Sequence, residues 1–402
     1  MLHCMNVTFD GIAVASFQEA IRHVCREYIL NHISKWDANA LIELRGPLAR
    51  PVNTEMFAVH GDERLRYELI TLLDRSVHMQ EAKGQDRLYA LMHLAEDYEE
   101  GRILVDYNKT VEQVMADAAS YHISQHQNLD FLDMSFRDNE TSNPTWIPES
   151  WTGHIPEGNR LSYDADHGPK HLKHTQCSLE SVDIRNLRLC IRGMKVGSVR
   201  QCIVFDADTP IVEMTVAEFW KSSLGEYLLP YLRDTDTRLP RDFSQAIHGG
   251  AFGRSHNHES IQAGLSYFWE IGRTPEQASR VLRWGGDDIQ DLLAPLKNSN
   301  EPAWAAIRDV LRSFERRSCV ITDSQHIGMV PECNIREDDD IWLVLGSFHP
   351  VIVRRQTSGR YWHICTAYIP ALLEHEHMAH FSSQIQPGDQ IGEWTVEDIE
   401  LE

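Results

Sequence analysis

Gly84-Gln85-Asp86-Arg87-Leu88-Tyr89-Ala90-Leu91-Met92-His93-Leu94-Ala95 reads as a loop that turns into a helix. Asp86 is placed to cap it, because a carboxylate accepts the free N–H groups of a first helical turn. Leu88, Leu91, Met92 and Ala95 recur at helical spacing and predict a face turned toward a core. Tyr89 brings an apolar ring with a polar tip that needs a partner. Upstream the same period returns. Leu65, Leu69, Leu72 and Leu73 predict a helix over 63–77, and the apolar positions from Val14 to Ile29 predict one within 6–33. Pro47 and Pro51 mark a loop between them.

Downstream, Val105-Asp106-Tyr107-Asn108-Lys109-Thr110-Val111-Glu112-Gln113-Val114 carries a capping-box pattern at Thr110 and Gln113. Val111, Val114, Met115, Ala118 and Tyr121 continue it as one apolar helix face. Asn143-Pro144-Thr145-Trp146-Ile147-Pro148-Glu149-Ser150-Trp151 is held extended by its two prolines, which predicts that Trp146 and Trp151 pack side by side on a neighbour.

The pattern changes after Trp151. Residues 152–180, rich in Gly, His and Pro, read as a loop. Leu187 to Ile191 alternates, Arg192-Gly193 reads as a turn, and alternation resumes to Phe205, which predicts a β-hairpin over 187–205. Helical faces return over 215–316: Phe219, Trp220, Leu224, Tyr227 and Leu228; Ile261, Leu265, Phe268 and Trp269; Trp304, Ile307, Val310, Leu311 and Phe314. From Ser318 to Tyr368 short apolar strands follow one another. The expected class is α+β. A mainly helical region spans 1–151. Region 152–402 is expected to be a small antiparallel β-barrel, built from the 187–205 hairpin and the 318–368 strands, with a helical insertion at 215–316.

Four of these stretches, in this order, resemble sequence blocks of the fungal heterokaryon-incompatibility (HET) family. The 84–95 stretch is similar to the block DPRDKIYALLGLA, with Gly84-Gln85 in place of Pro-Arg and Met92-His93 where the family has Leu-Gly. The 105–114 stretch is similar to PDYSKSVEEV, and 143–151 to LPSWVPDW. The 318–368 strands resemble the family's terminal strand run, and the 187–205 hairpin is in addition similar to a family strand pair of the form LRVRGxxVDxI. The residues that carry the resemblance are Asp86, Arg87, Tyr89, Asp106, Tyr107, Trp146, Pro148, Trp151, Gly328, Pro331, Asp340, Gly346, Pro350 and Arg354. The stretches that mark the HET domain itself are not found. The resemblance therefore implies a chain matching the region after that domain, one that would not kill cells on expression. It implies a recognition or regulatory module linked to self/non-self discrimination, with structural rather than catalytic motif residues.

The charge balance, 38 Lys plus Arg against 60 Asp plus Glu, gives −22. Phosphate backbones and anionic membranes are repelled by such a field on average, so no nucleic-acid partner and no membrane partner are expected. No apolar run reaches a bilayer's thickness, and the start Met1-Leu2-His3-Cys4 lacks a signal-peptide pattern, so a cytoplasmic location is expected. Eight cysteines are scattered without Cys-x-x-Cys spacing, which reads as buried thiols in a reducing compartment.

Candidate chemistry is sparse. His375, His377 and His380 lie close together, but their spacing is not that of a His-Glu-x-x-His zinc helix. His171, His174 and Cys177 lack an evident fourth ligand, and His256-Asn257-His258-Glu259 falls in a loop-like stretch. Gly249 to Ser255 lacks the lysine of a phosphate loop, so no cofactor is expected. The acidic run Asp97-Tyr98-Glu99-Glu100 reads as a solvated turn. Three functions remain. The first is a non-enzymatic interaction module with a protein partner. The second is an enzyme on a small molecule of fungal secondary metabolism, with a His/Trp-lined pocket. The third is a metal-dependent hydrolase built on the C-terminal histidines.

Overall fold

The computed structural model describes residues 68–75, 83–95, 97–135, 144–152, 182–203, 215–233, 238–240, 243–246, 257–280, 287–313, 317–331, 333–373 and 385–402. The expected helix at 6–33, the loop at 34–62, the loop from 153 to 180 and the stretches Gly249–Ser255 and His375–His380 lie outside them. The chain divides into two compact units, residues 1–127 with 147–155 and residues 128–146 with 156–402.

In the first unit, helices Leu69–Arg75, Gly84–Leu91 and Val111–His126 pack on one another. Leu69, Leu72, Leu73, Leu88, Met92, Val114, Met115, Ala118 and Trp151 are buried among them. The capping box at Thr110 forms as the sequence predicts: the Thr110 hydroxyl accepts from the Gln113 N–H and the Gln113 side chain accepts from the Thr110 N–H. Asp86 corrects the expectation. The cap position falls to Lys83, which makes no side-chain cap bond, and Asp86 stands inside the first turn, where its charge still favours the positive helix end. Gly84 lets that turn approach the next helix, since a Cβ there would lie 2.7 Å from Val111 Cγ2.

The second unit joins helices to a mixed sheet of nine strands among the described residues. These are β1 (Asp183–Arg185), β2 (Arg188–Ile203), β3 (Arg317–Thr322), β4 (Ile327–Pro331), β5 (Asp340–Val344), β6 (Val351–Arg355), β7 (Tyr361–Thr366), β8 (Gln390–Ile391) and β9 (Trp394–Leu401). The path runs β4-β3-β2-β5-β6-β7-β9-β8, β1 pairs with β2, and β2 also pairs with β9. Pairing thus returns on itself through β2, β5, β6, β7 and β9.

Two strand expectations are corrected. The 187–205 hairpin is a single 16-residue strand, β2, and the turn lies before it, at Asn186 and Leu187 with φ of 50° and 63°. Gly193 is no turn residue: its Cβ would sit 2.5 Å from the Leu343 carbonyl oxygen, so the glycine admits β5 alongside β2. The sheet is also not wholly antiparallel, because β7 and β9 pair in parallel at Tyr361 and Leu401.

The helices Val216–Lys221, Ser223–Arg233, His258–Gly272, Asp287–Ser299 and Glu301–Ser313 form one layer. Phe219, Leu224, Leu228, Ile261, Leu265, Phe268, Ile307, Val310 and Leu311 are buried in a cluster that also takes in Ile203, Cys319, Ile321, Ile327 and Met329 from the strands. The layer therefore covers β3, β4 and the end of β2.

Candidate functional site

The residues of the 84–95 and 105–114 stretches meet in the first unit, together with part of the third. From the helix Gly84–Leu91, the Arg87 guanidinium donates to the Ser150 carbonyl at 2.7 Å. The Tyr89 hydroxyl donates to the Asp106 carbonyl and accepts from the Asp106 N–H, both at 3.0 Å. The Tyr107 hydroxyl donates to Asp86 at 2.7 Å, and that hydrogen bond, with the Asp86 charge, lifts the phenol above its ordinary range. The Tyr107 ring meets Tyr89 edge-on at 5.3 Å and lies under the Lys83 ammonium at 4.9 Å. Pro148 closes the turn that ends the third stretch, its carbonyl accepting from the Trp151 N–H.

The two Trp residues of the third stretch fall in different units. Trp151 belongs to the first unit; Trp146 belongs to the second, with its indole N–H on the Leu187 carbonyl and Phe131 against its ring. The remaining motif residues sit in the second unit in framework positions. Gly346, at φ 84°, offers its carbonyl to the Leu129 N–H. Gly328 gives Ile369 and the Tyr368 carbonyl room that a Cβ would fill. Arg354 grips Asp339 through Nε and Nη2 at 2.8 and 2.9 Å and also donates to the Asn334 carbonyl. Asp340 pairs with Lys195, Pro350 accepts from the Ala367 N–H, and Pro331 ends β4 opposite Arg317.

One loop departs from this pattern. Leu104, Val105 and Tyr107 are 72%, 39% and 46% exposed, and among the described residues these are the large apolar side chains that face solvent. They flank Asp106, whose backbone is fixed by Tyr89 and whose carboxylate accepts the Asn108 N–H, so the loop is presented on a rigid base.

The polar pairs with chemical potential are dispersed. His349 Nδ1 meets Asp133 at 2.9 Å deep in the second unit, and Ser244 Oγ meets His258 Nδ1 at 2.7 Å. The described cysteines Cys190, Cys202, Cys319, Cys333 and Cys365 are free thiols. Burial pushes Cys202 up to about 12 and Cys319 higher still, which removes the thiolate that nucleophilic chemistry requires. His375, His377, His380, His171, His174 and Cys177 lie outside the described residues.

Among the described residues three ligand-type side chains converge, and the sequence reading passed over them: Asp97, His122 and His126. Asp97 corrects the solvated-turn expectation, being partly buried while its neighbours Glu99 and Glu100 are exposed. Burial pushes its pKa up, but the His126 ring and the Leu69 N–H outweigh that and hold the carboxyl below its ordinary value. Among the described residues no helix is long and apolar enough to cross a membrane. No protein-family model matches the chain, and no curated protein or solved structure matches it significantly.

Proposed function

We propose that the chain is a non-enzymatic protein-recognition module of the kind the heterokaryon-incompatibility resemblance implies, acting in the cytoplasm of a fungal cell. The observation that carries this reading is the exposed Leu104-Val105-Asp106-Tyr107 loop, set on a base of fixed hydrogen bonds. Exposed apolar side chains gathered at one place mark contact sites far more often than isolated ones do. A rigid base limits the ordering that binding must impose, which favours affinity. The motif residues support the reading from the other side, since their polar groups are spent on holding segments together. In the same reading the closed circuit of strands through β2, β5, β6, β7 and β9 is a small barrel that serves as framework.

The test is proximity labelling in a filamentous fungus with the full chain and a Leu104→Asp/Val105→Asp double variant. Both side chains face water, so the variant keeps its circular-dichroism spectrum. Proteins labelled by the wild type and lost with the variant are the expected result. Identical labelling by the two chains would sink the reading, as would turnover of a small molecule by the purified protein.

A further inference from the structure

We propose that Asp97, His122 and His126 form a binding site for one divalent transition-metal ion of the zinc class. His122 and His126 stand one turn apart near the end of Val111–His126, so both rings leave the same helix face. Their centroids are 4.6 Å apart and their planes differ by 28°. Asp97 comes from the turn after the 84–95 stretch and brings Oδ2 to 2.9 Å from His126 Nε2. One ligand atom from each of the three residues lies within 4.8 Å of the other two. Ligands about 2.0–2.2 Å from a tetrahedral zinc are roughly 3.3–3.6 Å apart, so the three atoms lie within little more than about 1 Å of that spacing.

The support around the ligands is built as metal sites require. The Leu69 N–H donates to Asp97 Oδ1 at 2.9 Å and fixes the carboxylate, leaving Oδ2 toward the histidines. The Tyr121 hydroxyl donates to the Asp97 carbonyl and accepts from the Glu99 N–H at 2.8 Å, which pins the turn to the same helix that carries both imidazoles. The helix itself is anchored by its capping box and ends at Gln127 with φ 54°.

The donor set selects the class of ion. Two imidazoles and one carboxylate suit zinc, cobalt, nickel or iron(II), whereas calcium and magnesium prefer oxygen throughout. His122 is buried, while the side chains of His126 and Asp97 are 24% and 11% exposed. One side of the triad therefore faces water, which can supply the fourth ligand. A bound ion would join the turn at residue 97 to the helix Val111–His126. This inference stands apart from the recognition reading and does not depend on it.

The purified full chain, stripped with a chelator and dialysed, is titrated with zinc by calorimetry and with cobalt(II) by visible absorption. The expected result is one equivalent bound, with the d–d intensity of a low-coordinate cobalt site. His126→Gln and Asp97→Asn are each expected to weaken binding at least ten- to a hundredfold, the range that changes outside the ligand set already produce. A His375→Ala/His377→Ala/His380→Ala variant is expected to bind as the wild type does. Zinc should also raise the thermal midpoint of the wild type, and raise that of His126→Gln less at the same free zinc. The outcomes that overturn the site are no binding by the wild type, unchanged binding in His126→Gln and Asp97→Asn, or loss of binding in the His375/His377/His380 variant. The first of these would leave Asp97 and His126 as a structural ion pair only.

Discussion

The first unit and the helical layer of the second both bury apolar side chains, but they differ in how segments distant in sequence are tied. In the first, segments distant in sequence are joined by single polar side chains reaching backbone groups: Arg87 to Ser150, Tyr89 to Asp106, Tyr121 to Asp97. In the second, the helices between 216 and 313 meet through rings and aliphatic chains, with Phe219, Trp220 and Phe268 within 5.1–5.6 Å of one another. The physical consequence is a difference in tolerance. Apolar burial is non-directional, so many residues share the load and shapes adjust. A buried guanidinium on a carbonyl is directional, and a lost partner leaves a polar group stranded. A site for recognition or for a metal ion needs fixed directions, and in the first unit polar ties lie beside the exposed loop and the histidine pair.

The largest effect expected from breaking the apolar side of the comparison comes from Phe268→Ala. Phe268 is fully buried between Phe219 and Trp220, and truncating such a ring costs about 3–5 kcal/mol through lost transfer energy and the cavity left behind. Urea denaturation followed by tryptophan fluorescence measures it, and a loss under about 1 kcal/mol would mean the layer repacks freely.

Arg87→Met attacks the polar side. Arg87 is 5% exposed, and losing its charged donor to the Ser150 carbonyl costs about 1.5–3 kcal/mol. The accompanying sign is local: amide exchange at 149–152 should quicken, while amides in β2 and β5 keep their protection. Uniform quickening in both units would show that the two do not respond separately.

The smallest effect is electrostatic and sharpens the contrast from within the helical layer. Glu218 accepts the Thr215 N–H at 2.7 Å and the Thr215 hydroxyl at 2.8 Å, and these bonds, the backbone one first, hold its carboxyl below the ordinary 4.5. A carboxyl depressed in the folded state adds stability above its unfolded value and loses it as pH falls through the lowered folded value. Carbon-detected NMR titration should therefore find Glu218 ionising below 4.5, and Thr215→Val should move it back toward that value.

Much of the helical content was legible in the sequence because it rests on local rules. The Thr110–Gln113 box and the 3.6-residue period of Phe219, Leu224 and Leu228 are complete within a few residues. The strands β3 to β7 were legible for a similar reason, as short apolar runs bounded by turns. β9 was not. Its buried Val396, Ile399 and Leu401 are interleaved with Glu397, Asp398 and Glu400, an acidic pattern that drew no strand expectation, and Arg192 and Arg188 on β2 pair with Asp398 and Glu400. Gly193 misled because a glycine between alternating residues signals a turn, while here it answers to a carbonyl from another strand. The metal-type triad was half legible. His122 and His126 show the spacing of one helical turn, but Asp97 looked like one more acid in an acidic run, and only the Leu69 and Tyr121 contacts set it apart.

The sequence by itself determined the α+β class, the helix start at Thr110 and the apolar faces, because periodicity and capping act over a few residues. Tertiary structure alone decided that β2 runs unbroken as the hub of the sheet and that Trp146 and Trp151 belong to different units. It also decided that a carboxylate near residue 97 turns inward to two histidines. Each of those outcomes depends on a partner far along the chain, and the free energy of such a contact is not encoded in any local pattern.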